Sequence, residues 1–271
     1  MLTRIITAVV ALCVLIPVLI FASTEICCGI TVLNVAFAVI GAVALFEAAE
    51  CVGAKKALLL CPAIAAGVFL LLTTKNDLSL YTPVAALLLF LFLFIGVIGN
   101  KSFKADTVLV YFGFFFYVLA GFGALLLLFT RLDGYFFPLV LFGAWVTDTF
   151  AYFSGYFFGR HKLIPAVSPK KTVEGAIGGT LFCVISFVVY SIFKGCNTTE
   201  VVVTGIIGLV AAVVSQLGDL SASLIKRHYG IKDYGKIFPG HGGVLDRFDS
   251  ILSVSVLLYL VTELPLGGLF Q

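Results

Sequence analysis

Four aspartates lie where a carboxylate is costly. Asp148 interrupts an apolar run, in Trp145-Val-Thr-Asp148-Thr-Phe-Ala-Tyr152, and Asp219, Asp246 and Asp249 sit at the ends of two others. An ionisable group inside a membrane-length apolar segment is a functional hypothesis by default. Gln216, Asp219 and Ser223 are spaced i, i+3, i+7, and Asp246 and Asp249 are three apart, so each set shares one face of a helix. Converging carboxylates repel unless a cation or a proton lies between them. Hard oxygen ligands at a wet boundary suit Mg²⁺, which keeps waters and takes one or two carboxylates plus substrate phosphates. Asp219 and Asp246 are the expected metal ligands, with Asp249 and Asp148 as further candidates and a second cation as an open question.

Basic and glycine-rich stretches flank these acids. One runs Ser168-Pro-Lys170-Lys171-Thr172-Val-Glu174-Gly175 into an apolar segment. Two lysines and two hydroxyls ahead of a helix N-terminus make an anion site from donors and dipole together. A second stretch carries Lys226, Arg227, Lys232, Lys236 and Arg247 around Phe238-Pro-Gly-His241-Gly242-Gly243. Its Gly-Gly pair allows a ligand close to the backbone, and His241 is a candidate to bind phosphate or carry a proton. There is no GxxxxGK[ST] and no GxGxxG, so neither a P-loop nor a Rossmann nucleotide site is supported. Acids for a metal and bases for phosphates are the apparatus of phosphoryl or nucleotidyl transfer, where positioning and charge neutralisation supply most of the catalysis.

The elements that must position these residues follow from composition. Of 271 residues, 61% are apolar and 11% charged, and the mean hydropathy is +1.17. A water-soluble domain of this size has too little interior to hide so much apolar surface. The expectation is an all-α, polytopic integral membrane protein. A bilayer core takes about 20 residues of helix, and nine segments qualify: roughly 5–22, 27–49, 57–73, 83–99, 107–129, 134–157, 176–193, 201–222 and 248–264.

Lysine and arginine then sort the loops. Arg4, Lys55, Lys56, Lys101, Lys104, Arg160, Lys162, Lys170, Lys171, Lys226, Arg227, Lys232, Lys236 and Arg247 fall on one side, and Lys75, Arg131 and Lys194 on the other. The positive-inside rule puts the first side, and the N-terminus, in the cytoplasm. Nine spans put the C-terminus outside. The long basic loops, 158–175 and 223–247, are both cytoplasmic, so the chemistry belongs at that face. Residues 1–133 read as a helical scaffold of about five spans, and 134–271 as the catalytic region of about four.

The remaining acids read as solvated or structural. Glu47 and Glu50 end the second span ahead of Lys55 and Lys56, where side chains snorkel cheaply. The seven cysteines contain no CxxC pair, and most lie in apolar runs, where they read as small buried hydrophobes.

The stretch from Ser223 to Asp249, with Lys226-Arg227, Lys232-Asp233, Phe238-Pro239, His241-Gly242-Gly243 and Asp246-Arg247, resembles the signature of phosphatidate cytidylyltransferases (CDP-diacylglycerol synthases). Ser168–Gly175 and Asp148–Tyr152 also resemble segments of that family, with Val173 where many members carry Trp and Arg160 where many carry Lys. Residues 1–133 match only in being hydrophobic. The resemblance implies condensation of CTP with phosphatidic acid to CDP-diacylglycerol and pyrophosphate, Mg²⁺ dependence and a homodimer. It implies a bacterial cytoplasmic membrane with the active site facing the cytoplasm.

On that reading Asp219, Asp246, Lys226, Arg227, His241 and Arg247 are catalytic. Ser168, Lys170, Lys171, Thr172, Glu174, Ser223, Lys232, Gly242 and Gly243 bind substrate or phosphate. The partners are the two substrates and the bilayer, with no nucleic acid. Two other readings fit less of the pattern. One is another CTP-dependent lipid enzyme, such as a polyprenol kinase or an archaeal-lipid cytidylyltransferase. The other is an ion-coupled transporter, which predicts acids near the midplane and matching halves.

Overall fold

The computed structural model describes residues 13, 15–27, 29–53, 90, 94, 105–130, 134–240, 242–264 and 270. These are chiefly helical, as apolar runs require, because a helix satisfies its backbone polar groups within one segment. Five described helices are long and apolar enough to cross a membrane: Val32–Cys51, Asp106–Thr130, Phe136–Phe158, Val173–Phe193 and Thr198–His228. A sixth, Leu245–Glu263, covers the ninth expected span but is more polar. The expected spans at 57–73 and 83–99, except Phe90 and Phe94, and the start of that at 5–22 lie outside the described residues.

The described chain forms two compact units. The first takes residues up to Leu126 together with Tyr229–Arg247, and the second takes Leu127–His228 and Phe248 onward.

In the first unit, a short hairpin of β1 (Glu25–Cys27) and β2 (Ile30–Thr31) leads into α1 (Val32–Cys51). The Thr31 side chain accepts from the Asn34 amide and caps the helix. Helix α2 (Ala105–Thr130) packs on α1 through a bare Gly41, where an added Cβ would lie 3.5 Å from both Phe122 and Val118. Tyr111, fully buried on α2, donates to the carbonyl of Leu45 at 3.3 Å. Cys51 is the last residue of α1.

The second unit takes the end of α2 from Leu127 and then α3 (Phe136–Leu141), a π-helical turn (Phe142–Val146) and α4 (Thr147–Phe158), the last three of which form the sixth expected span. Next come a hairpin of β3 (Lys162–Ile164) and β4 (Ser168–Thr172), then α5 (Val173–Phe193), α6 (Thr198–His228) and the body of α7 (Leu245–Glu263). The hairpins were not expected, because strands of two to five residues are too short to show a period of two.

Glycines let α4 and α5 approach closely, as small residues do between membrane helices. A Cβ on Gly175 would lie 2.6 Å from the Ala151 carbonyl oxygen, one on Gly179 2.7 Å from that of Thr147, and one on Gly178 would collide with Ser154. Gly178→Val is therefore expected to destabilise the protein by about 1–3 kcal/mol through overpacking, read as a lower melting temperature in detergent. An unchanged melting temperature would mean the helices do not meet there.

Helix α6 departs most from expectation. It was expected to end near 222, leaving Ser223, Lys226 and Arg227 at the start of a loop, but it runs 31 residues to His228. Nothing between Asp219 and His228 breaks a helix, and the stop comes only at Gly230, with φ of 69°. Lys226 is thus a buried helical residue, and the connection to α7 shortens to 229–244.

Candidate active site

In the second unit, α6 and α7 cross at Gly218. A Cβ there would lie 2.9 Å from that of Ser253 and 3.2 Å from the Asp249 carbonyl oxygen. This approach places Asp219, next on α6, beside the start of the α7 body. Asp249 is only 6% exposed and lies within electrostatic reach of Asp219, Lys226 and Asp148, while Lys226 is itself 7% exposed. The Ser250 hydroxyl lies 3.4 Å from Oδ2 of Asp148 and 3.4 Å from Oδ1 of Asp249, and the Ser250 amide donates to that Oδ1 at 2.8 Å. Three of the four expected metal candidates, from α4, α6 and α7, thus share one neighbourhood.

Two further contacts define Asp219. The Lys171 ammonium lies 2.7 Å from Oδ2, a charge contact whose direction is not that of a hydrogen bond. The Ser223 hydroxyl donates to Oδ1 at 3.4 Å, one turn along α6, as the spacing predicted. Gln216, expected on the same face, turns to α5 instead. Its amide donates to Oγ1 of Thr180 at 3.1 Å and to the carbonyl of Ala176 at 3.4 Å, so it joins helices.

The hairpin carries Lys171 to that acid. Ser168 pairs with Ile164, Lys170 is exposed, and Thr172 pairs with Lys162. The buried Thr172 hydroxyl accepts from the Gly175 amide at 3.1 Å and caps α5. Glu174 does not face the acids: it accepts from the amides of Arg160 and His161 and meets His161 Nδ1 at 2.7 Å. It therefore sets the turn between α4 and β3. Arg227 is exposed and donates from Nε to the Val167 carbonyl at 3.4 Å, tying the hairpin tip to α6.

The first unit holds Lys232, Gly242, Gly243, Asp246 and Arg247. Phe238 donates its amide to the Gly242 carbonyl at 3.0 Å, closing a turn in which Gly240 has φ 79° and Gly242 has φ 86°. Those angles favour glycine. Oδ2 of Asp246 accepts the amides of Tyr234 at 2.8 Å and Gly243 at 3.0 Å, which commits that oxygen to shaping the loop. Lys232 and Arg247 are exposed. His241 lies outside the described residues.

Sequence reasoning missed Glu47. Its place near a span end predicts an acid that snorkels, yet it is 1% exposed on α1 and accepts the amides of Val244 at 3.0 Å and Leu245 at 2.9 Å. The signal was there, in a carboxylate inside an apolar helix, but its partners are backbone amides 197 and 198 residues away, which no side-chain pattern reveals.

Among the described residues no three His, Cys, Asp or Glu side chains are grouped to hold a metal by themselves. The donors that do converge, on Asp219 and Asp249, are carboxylate oxygens. That set fits Mg²⁺, for which one or two carboxylates suffice when substrate phosphates supply the rest.

A family model described as the cytidylyltransferase family matches residues 2–264. Similar curated proteins bear the name phosphatidate cytidylyltransferase. One from Staphylococcus saprophyticus is 45% identical over 142 residues, 52% of this chain and 54% of that protein. Another from Staphylococcus haemolyticus is 44% identical over 133 residues, 49% of this chain and 51% of that protein. A third, from Staphylococcus aureus strain COL, has the same identity and coverage as the second. Each match thus spans about half the length of the relative.

Proposed function

The chain belongs to the cytidylyltransferase family, and from that premise we propose that it condenses CTP with phosphatidic acid, giving CDP-diacylglycerol and pyrophosphate. The observation that carries the proposal is the cluster of Asp219, Asp249 and Asp148 around the buried Lys226, with Lys171 brought in from the hairpin. The names of its staphylococcal relatives support the substrates.

An oxygen of the phosphatidate phosphate attacks the α-phosphorus of CTP. One P–O bond forms, the bond to the β-phosphate oxygen breaks, and pyrophosphate leaves. The nucleophile is already an oxyanion, so no protein residue need be activated. Asp219 and Asp249 are proposed to hold Mg²⁺, with Asp148 beside them, and the bound ion supplies charge neutralisation on the triphosphate. Lys226 offsets the buried acids, and Lys171 can answer either Asp219 or a phosphate. Lys170, at the exposed edge of β4, adds positive charge for the incoming anions. Ser168, Thr172 and Glu174 fix the hairpin and the start of α5. Asp246 shapes a loop whose Lys232, Gly242, Gly243 and Arg247 approach phosphate, and His241 is proposed to bind phosphate or carry a proton. The site faces the cytoplasm of a bacterial cell membrane in this proposal, and the enzyme works as a homodimer.

Purified full-length protein given labelled CTP, phosphatidate and Mg²⁺ should release pyrophosphate and form lipid-linked CMP. Chelation by EDTA should abolish both, and added Mg²⁺ should restore them. Absence of lipid-linked product would reject the substrates. Full activity under EDTA would reject the metal.

A further inference from the structure

We infer that Glu47, on the second expected span, is a positioning residue for the loop 229–244 and so for the substrate phosphates; this rests on the proposed cytidylyltransferase reading. Glu47 lies far in sequence from every motif residue, and among the described residues no salt bridge to it explains a buried carboxylate. Its two oxygens instead receive two consecutive amides at the start of α7, Val244 on Oε1 and Leu245 on Oε2. A helix N-terminus presents unpaired amides and positive potential, which favour an anion there. Here the protein supplies its own anion.

The loop is built around this carboxyl group. A Cβ on Gly235 would collide with Oε1 of Glu47, and one on Gly243 would lie 2.5 Å from the same atom. Two loop glycines therefore fit against the carboxylate because they lack side chains. Asp246 completes the arrangement by accepting from Gly243 and Tyr234, and the buried Tyr234 ring stands edge-on to Phe114 of α2 at 5.6 Å. Glu47 thus fixes where Gly242, Gly243 and Arg247 stand. This gives α1 a part in the chemistry beyond scaffolding.

The proposal separates from a merely structural role by kinetics and by amide exchange. Glu47→Gln keeps shape and volume but offers a single acceptor where two amides need one each. Gly235→Ala leaves Glu47 in place and displaces its carboxyl group. In full-length protein in nanodiscs, both variants are expected to raise KM for CTP about tenfold or more, the cost of misplacing positioned groups. KM for phosphatidate should change by less than about twofold, on the same principle that only the displaced contacts are lost. Exchange of the Val244 and Leu245 amides should be slow in the unaltered protein and faster in both variants.

CTP kinetics within twofold of the unaltered protein in both variants would overturn the proposal. So would equal losses toward both substrates, which is the mark of general unfolding. Fast exchange at Val244 and Leu245 in the unaltered protein would overturn it without any variant. If the unaltered protein makes no CDP-diacylglycerol, the functional reading fails, and the exchange measurement alone decides the clamp.

Discussion

Asp249→Asn is expected to lower kcat on the order of 10²-fold or more, the scale of loss when one preorganised charge-stabilising group is removed. Asp249 is buried, lies near Asp219, Asp148 and Lys226, and has Oδ1 already bonded to the Ser250 amide. The amide of an Asn keeps that geometry and removes the charge. A loss that appears in kcat, with a raised Mg²⁺ requirement, is therefore a loss of charge. Asp219→Asn should act in the same way and also release Lys171 from its 2.7 Å contact. Because the two acids work as a unit, the double variant should be little worse than the poorer single one. Asp106→Asn is the control, since that acid is exposed at the start of α2, where it accepts the adjacent Thr107 amide. Steady-state rates at several Mg²⁺ concentrations decide the matter. Unchanged kcat and Mg²⁺ dependence in Asp249→Asn would end the metal assignment.

The acids were legible because charge in an apolar run has few innocent explanations. Asp148, Asp219 and Asp249 could be singled out by cost alone, and the i, i+4 spacing of Asp219 and Ser223 gave a face that the structure keeps. What spacing cannot report is which groups the other helices bring. Gln216 has the right register for the acids but bonds Thr180, because α5 lies against that turn of α6. Glu174, grouped with the phosphate ligands by its place in a motif, binds the turn at Arg160 and His161. The basic loops were placed correctly along the chain but drawn too long. Lys226 and Arg227 are polar, which suggests a loop, although both are good helix formers. Glu47 was the largest omission, since its partners are backbone amides and carry no residue type to recognise. Asp246 shows the same limit, since its Oδ2 serves the amides of Tyr234 and Gly243.

Gly218→Ala should cost activity through geometry, without touching any charge. The added methyl would meet the Ser253 hydroxyl and lie 2.9 Å from its Cβ and 3.2 Å from the Asp249 carbonyl oxygen. Backbone cannot yield as a flexible side chain can, so α6 and α7 must separate or slide. Ser253 itself bonds the Asp249 carbonyl at 3.1 Å, which couples the obstacle to the acid. Displacement of about 1 Å is enough to lower a rate on the order of 10²-fold when catalysis depends on placement. The accompanying overpacking is worth about 1–3 kcal/mol. Ser253→Gly removes the nearest obstruction, so Gly218→Ala with Ser253→Gly should recover part of the lost rate. A general loss of stability would not be repaired in that way, because Ser253→Gly also deletes a hydrogen bond and adds a helix glycine, each of them destabilising. Rates that rise in the double variant while the melting temperature falls would tie the chemistry to the α6 and α7 crossing. Gly218→Ala with full activity would show instead that Asp219 and Asp249 need no such close approach to work.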